Sequence, residues 1–213
     1  MRPHAGPTLA GALILAASAA TAAPPAIVTQ GKGAATACAT CHGADGLGNA
    51  QAGFPMLAQL PPAYLAKQIA DFKAGTRSNP VMSPIAAALT PEDIEASARY
   101  YASLPRPAAH DTGADPATVD RGRKLAIDGA WDRNVPPCFK CHAVDGGGVP
   151  PNFPPIAGQH ASYTVSQLQA WKSGARSNDP QKLMKTVAQN LSDEDIRAVA
   201  AYLATLGNRG AKK

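Results

Sequence analysis

The sequence predicts an all-α chain made of two tandem domains related by internal duplication. Three observations predict it. Segments recur in the same order at an offset that drifts only from 99 to 102 residues. Each copy carries helix-period apolar spacing with cap residues at the helix ends. No alternating run is long enough to make a convincing strand.

The segment before the repeat reads as a targeting element. Arg2 supplies a short positive region, residues 9–20 form an apolar run, and Ala20-Thr21-Ala22 gives a small-x-small cleavage pattern. Residues 1–22 are therefore expected to be a signal peptide. The alternative is an uncleaved anchor, but the run falls short of the roughly 20 apolar residues that a spanning helix needs. The remaining chain is expected in the periplasm. It divides into an N-terminal domain over 23–104, a linker over 105–116 and a C-terminal domain over 117–213. The linker reading rests on three prolines and one glycine without apolar periodicity.

Within the copies, "CATCHGADGLG" at 38–48 answers "CFKCHAVDGGG" at 138–148, and "FPMLAQLPPAY" at 54–64 answers "FPPIAGQHASY" at 153–163. Helices are expected over 63–74 and 161–173, marked by Tyr64, Ile69, Phe72 and by Tyr163, Leu168, Trp171. Gly75 and Gly174 stand where a C-cap glycine belongs. The last helix of each copy opens on a cap: Thr90 with Pro91 at N1, and Ser192 ahead of Asp193-Glu194-Asp195 in a capping-box-like pattern. The second copy also carries the insertion "DGAWDRNVPP" before its first cysteine, read as a loop packing Trp131 near the site.

Cys38-Ala39-Thr40-Cys41-His42 and Cys138-Phe139-Lys140-Cys141-His142 both spell C-x-x-C-H, the pattern of covalent haem c attachment. Two cysteines three apart reach the two vinyl groups of one porphyrin, and the adjacent histidine is placed to bind iron. A zinc site would need four clustered ligands, a thioredoxin-like pair expects a βαβ context, and a disulfide would leave both histidines unexplained. Two haem c groups are therefore expected, with His42 and His142 as iron ligands.

Each iron needs a sixth ligand. Outside the signal segment the methionines are Met56, Met82 and Met184. Met82 lies 40 residues after His42 and Met184 lies 42 after His142, whereas Met56 answers Pro155. Met82 and Met184 are the expected ligands, core filling being the alternative. His110 and His160 lack histidine counterparts, so bis-histidine ligation would be an exception.

With these motifs the chain resembles the dihaem cytochrome c4 family, two fused class I cytochrome c-like domains, over nearly all of residues 27–207. The tandem "FPPIAGQHASYTVSQLQAWKSGARSND" carries the resemblance more specifically than the attachment motifs do. The resemblance implies that Pro55 and Pro154 supply the carbonyl that accepts the axial histidine's hydrogen bond. It places Tyr64, Tyr163, Arg77 and Arg176 near the haem propionates, with ordinary packing as the alternative for the tyrosines. It also implies domains packed with their haems facing each other. Two departures stand out: Ala58-Gln59-Leu60 where the family favours A-G-Q, and Ala143 after His142 where a glycine is usual.

An iron with both axial positions filled offers substrate no open site. The expected function is a non-enzymatic, monomeric electron carrier. Its donor would be a membrane quinol-oxidising complex or a dehydrogenase, and its acceptor a terminal oxidase or reductase. Peripheral membrane association fits that role. The alternatives are a subunit of a periplasmic dehydrogenase complex, or a dihaem enzyme such as a peroxidase. Residues 23–105 carry five basic and five acidic side chains and residues 116–213 carry thirteen and eight, so the C-terminal domain should face an acidic partner. No basic block with interleaved aromatics suggests nucleic acid.

Overall fold

A computed structural model of the chain describes residues 23–107, 112–179 and 181–207. The segment read as a signal peptide and His110 lie outside them. The first copy forms α1 (Ala26–Thr29), α2 (Ala39–His42), α3 (Pro62–Ala74), α4 (Met82–Ala87) and α5 (Pro91–Ser103). The second forms α6 (Pro116–Ile127), α7 (Ala161–Ser173), α8 (Leu183–Asn190) and α9 (Asp193–Thr205), with 3-10 turns at Trp131–Arg133 and Cys138–Lys140. Among the described residues, β pairing is confined to isolated bridges. No helix among them is long and apolar enough to cross a membrane.

Two separate apolar cores make this a two-domain molecule. One gathers Val28, Met56, Leu65, Leu89 and Tyr101. The other gathers Val135, Trp171, Ile196, Val199 and Leu203. α3 and α7 stop at Gly75 and Gly174, whose φ angles of 77° and 83° are left-handed. α5 and α9 both start in reciprocal capping boxes, Thr90 with Asp93 and Ser192 with Asp195.

α6 goes beyond the sequence reading. Asp115 and Pro116, which close the stretch read as a linker, are its N-cap and first residue, and the Asp115 side chain accepts from the N–H groups of Ala117 and Thr118. α6 lies directly on α9. A Cβ at Gly122 would sit 2.0 Å from the Ala198 carbonyl oxygen, so only glycine permits this approach.

The insertion also departs from expectation, because Trp131 is 66% exposed rather than packed. The insertion is anchored instead through Arg133, whose guanidinium donates to the fully buried Asp195 at 2.5 Å. Arg121 of α6 donates to the same carboxylate at 2.7 Å. In the first copy Lys32 alone reaches the equivalent Asp93, at 2.9 Å. The insertion thus supplies a second cation to the start of the last helix.

Candidate functional site

Each C-x-x-C-H ends in a buried imidazole. His42 and His142 are both 7% exposed. His42 Nδ1 lies 3.1 Å from the Pro55 carbonyl and His142 Nδ1 lies 2.7 Å from that of Pro154. A carbonyl only accepts, so Nδ1 carries the proton and Nε2 presents its lone pair. Burial lowers both imidazole pKa values, against the raising effect of the carbonyl bond, which keeps the rings neutral. Neither Nε2 has a hydrogen-bond partner among the described residues. A buried, neutral, unpartnered imidazole nitrogen is the donor that an iron centre requires.

The backbone around these carbonyls is built close. Gly48, at φ 68°, leaves no room for a side chain, because a Cβ there would sit 2.5 Å from the Pro55 oxygen itself. The two departures from the family pattern fall at left-handed positions: Gln59 has φ 61° where Gly158 has 68°, and Ala143 has 66° where Gly43 has 74°. The loop geometry is thus kept in both copies at the cost of backbone strain.

None of the four cysteines forms a disulfide, and each lies partly buried beside a histidine. Burial pushes the Cys138 thiol up to about 11 and raises that of Cys38 as well, so neither is a thiolate near neutral pH. Among the described residues no cluster of three or more His, Cys, Asp or Glu side chains could hold a bare metal ion.

Met82 is the first residue of α4 and Met184 the second of α8, and both are held by equivalent backbone caps. The Asn79 side chain accepts from Met82 N–H at 2.9 Å, and Asp179 accepts from Met184 N–H at 2.8 Å. The shared Arg-Ser-Asn therefore conceals a change of role. Asn79 caps its methionine helix, whereas its counterpart Asn178 turns to the other domain and donates to Gln68 and Asp71. The lengthened loop of the second copy provides Asp179 to take over the cap.

Tyr64, Tyr163, Arg77 and Arg176 come together across the domain interface. Arg77 and Arg176 pair as an antiparallel bridge. Arg77 donates to Tyr163 at 2.6 Å and to Gln167 at 2.7 Å; Arg176 donates to Tyr64 at 3.4 Å and to Gln68 at 2.9 Å. Each guanidinium also stacks in its own domain, on Phe72 and on Trp171. Both arginines are buried, yet among the described residues no carboxylate is a partner of either. Two buried cations with no carboxylate among the described residues call for negative groups at this interface. Haem fits on each count: unpartnered imidazole nitrogens, paired thiols, and cations that suit propionates.

Sequence reasoning missed a second set of interface residues. Gln159 is buried and makes a two-point bond to Met56, accepting from its N–H at 3.0 Å and donating to its carbonyl at 2.9 Å. His160 Nε2 lies 2.8 Å from the Leu47 carbonyl and Ser162 donates to that of Ala50 at 2.8 Å. The available signal was a polar run in one copy aligned with Leu60, Pro61 and Ala63 in the other. His160 therefore faces a carbonyl of the N-terminal domain.

Comparison with known proteins fits this geometry. The cytochrome c family model matches residues 28–105 and 119–207. A thiosulfate dehydrogenase electron acceptor of Stutzerimonas stutzeri is 48% identical over 200 residues, covering 93% of each chain. The structure of reduced cytochrome c4 from Pseudomonas stutzeri superposes with a TM-score of 0.73 at 37% identity, covering 79% of this chain and 93% of that one. A thiosulfate dehydrogenase of Marichromatium purpuratum superposes with a TM-score of 0.77 at 46% identity over 84% of this chain, which spans 39% of that longer protein.

Proposed function

The chain belongs to the cytochrome c family, in its dihaem cytochrome c4-like branch, and on that premise we propose that it accepts single electrons from a periplasmic thiosulfate-oxidising dehydrogenase. It carries two covalently bound haem c groups and is an electron carrier. The observation that carries the reading is the duplicated pair of buried imidazoles, each with Nδ1 on a proline carbonyl and Nε2 without a hydrogen-bond partner among the described residues. The choice of donor rests on relatives named as electron acceptors of thiosulfate dehydrogenase.

Cys38 and Cys41 hold one haem and Cys138 and Cys141 the other. His42 and His142 would ligate the two irons through Nε2, and Met82 and Met184 would supply the second protein ligand of each. Bound there, haem c supplies a one-electron ferric/ferrous couple. The protein's own work is positional and electrostatic. Pro55 and Pro154 fix the ring plane and basicity of each histidine. Asn79 and Asp179 set the start of each methionine helix. Arg77 and Arg176, steadied by Tyr163 and Tyr64, offset the propionate charge. Thioether sulfur favours the ferrous state, which raises the reduction potential and suits an acceptor. Passage of the electrons to a terminal oxidase or reductase completes the role.

Rapid mixing of the oxidised holoprotein with a thiosulfate dehydrogenase and thiosulfate tests this. Both haems should be reduced within the dehydrogenase's turnover time, and the bimolecular rate should fall as salt rises, because the C-terminal domain is basic. A dehydrogenase that turns over with a dye acceptor but leaves this protein oxidised would contradict the proposed donor.

A further inference from the structure

The domain interface is symmetric at its arginines and asymmetric beside them. Gln159, His160 and Ser162 of the C-terminal domain reach into the N-terminal loop at Met56, Leu47 and Ala50. Their counterparts in the first copy are Leu60, Pro61 and Ala63, none of which has a side-chain polar atom to return the grip. The loop that is gripped is the one that serves His42. Met56 directly follows Pro55, and both backbone polar groups of Met56 are taken by the single Gln159 amide.

We infer that Gln159 is a positioning residue acting across the interface. By holding Met56 it fixes the Pro55 carbonyl against His42 Nδ1, so the C-terminal domain sets the reduction potential of the N-terminal haem. Gln159 is 7% exposed, and neither of its bonds to Met56 is open to competing water. Two constraints converge on the same carbonyl: Gly48 lies beneath its oxygen, and the Gln159 amide oxygen accepts from the Met56 N–H of the same peptide. The C-terminal histidine has no such control from the other domain: among the described residues no side chain of the N-terminal domain bonds residues 149–158, and the counterpart of Met56 is Pro155, which has no N–H to offer. The same duplicated site is thus tuned in one copy by its neighbour and in the other by itself.

The physical route is the basicity of the proximal imidazole. A firm bond from Nδ1–H to a carbonyl makes Nε2 a stronger donor, which stabilises ferric iron. Loosening the Met56 peptide weakens that bond and should raise the potential of the N-terminal haem alone.

This inference rests on the dihaem carrier reading, and one experiment separates the two. Redox titration of the holoprotein resolves two midpoints, assigned by which one moves in Met82→Ala and which in Met184→Ala. In Gln159→Leu, which restores the residue of the first copy, the N-terminal reduction equilibrium should shift toward ferrous severalfold, up to about tenfold, or 59 mV for a one-electron couple. The C-terminal midpoint should stay in place. Gln159→Met removes both bonds to Met56 while keeping a neutral side chain of similar length, so it should give a shift of the same sign; it decides the matter if Gln159→Leu does not fold. Ser162→Ala removes a cross-domain bond away from Pro55 and should leave both midpoints unchanged. An unmoved N-terminal midpoint, or an equal movement of both, overturns the inference. A wild type without two haem signals overturns the carrier reading, and the inference with it.

Discussion

The residues that matter most at the site are those whose backbone or polar atoms have no freedom. Gly48 is one: its missing side chain is what lets the loop reach the Pro55 carbonyl, and Gly48→Ala should disturb the N-terminal haem while sparing the C-terminal one. Ala143 is the reverse case, an alanine held at φ 66° where the first copy has glycine. Ala143→Gly should therefore stabilise the C-terminal domain by about 1 kcal/mol, the lower end of the left-handed penalty for residues with a Cβ. Thermal unfolding of the two holoproteins checks this, and a lower midpoint for the glycine variant would refute it. The ligand sets make a further prediction at this scale. Met82→Ala and Met184→Ala should each remove half of the far-red charge-transfer absorption of the ferric protein, and retention of the full band in either variant would remove that methionine from the iron.

At the scale of elements, the last helix of each copy is pinned by its own N3 aspartate. Burial alone would raise the pKa of Asp195, but hydrogen bonds from Arg133, Arg121 and Ser192 outweigh it and hold the carboxyl far below its ordinary value. A depressed folded-state pKa means stability that is fully present above the unfolded value of about 3.9 and lost as pH falls below it. The C-terminal domain should thus lose stability on acidification below about pH 4, and Asp195→Asn should start lower and flatten that loss. A variant with the wild-type acid profile would contradict it. The α6–α9 contact carries a separate expectation. Gly122→Ala forces the helices apart and should cost about 1–3 kcal/mol, the usual range for overpacking. The four longer paired helices were legible in the sequence, because α3, α5, α7 and α9 announce themselves locally through apolar period, caps and terminal glycines. α6 was not, since its Asp115-Pro116 start is hidden in a proline- and glycine-rich stretch and its closest contact is through a glycine.

At the scale of the whole molecule, duplication explains both what could be read and what could not. Two attachment motifs and two methionines at matching distances made the pair of haem c sites visible from residue types alone. The interface between copies depends on residues more than 80 positions apart, such as Arg77 with Tyr163 and Gln159 with Met56, and no local pattern encodes such contacts. Divergence marks them only faintly. Asn79 and Asn178 look equivalent yet serve a helix cap and an interface, and Gln159 stands where the other copy has Leu60. On the proposed reading the molecule has two similar iron sites, the N-terminal one under cross-domain control, with one domain nearly neutral and the other basic. Such a carrier can hold two electrons one at a time at distinct potentials. Spectroelectrochemical titration of the purified holoprotein tests this account most directly. It should count two haems per chain, show two one-electron steps, and show the methionine charge-transfer band in both ferric sites. A single haem, or ferric sites without that band that turn over peroxide, would contradict it.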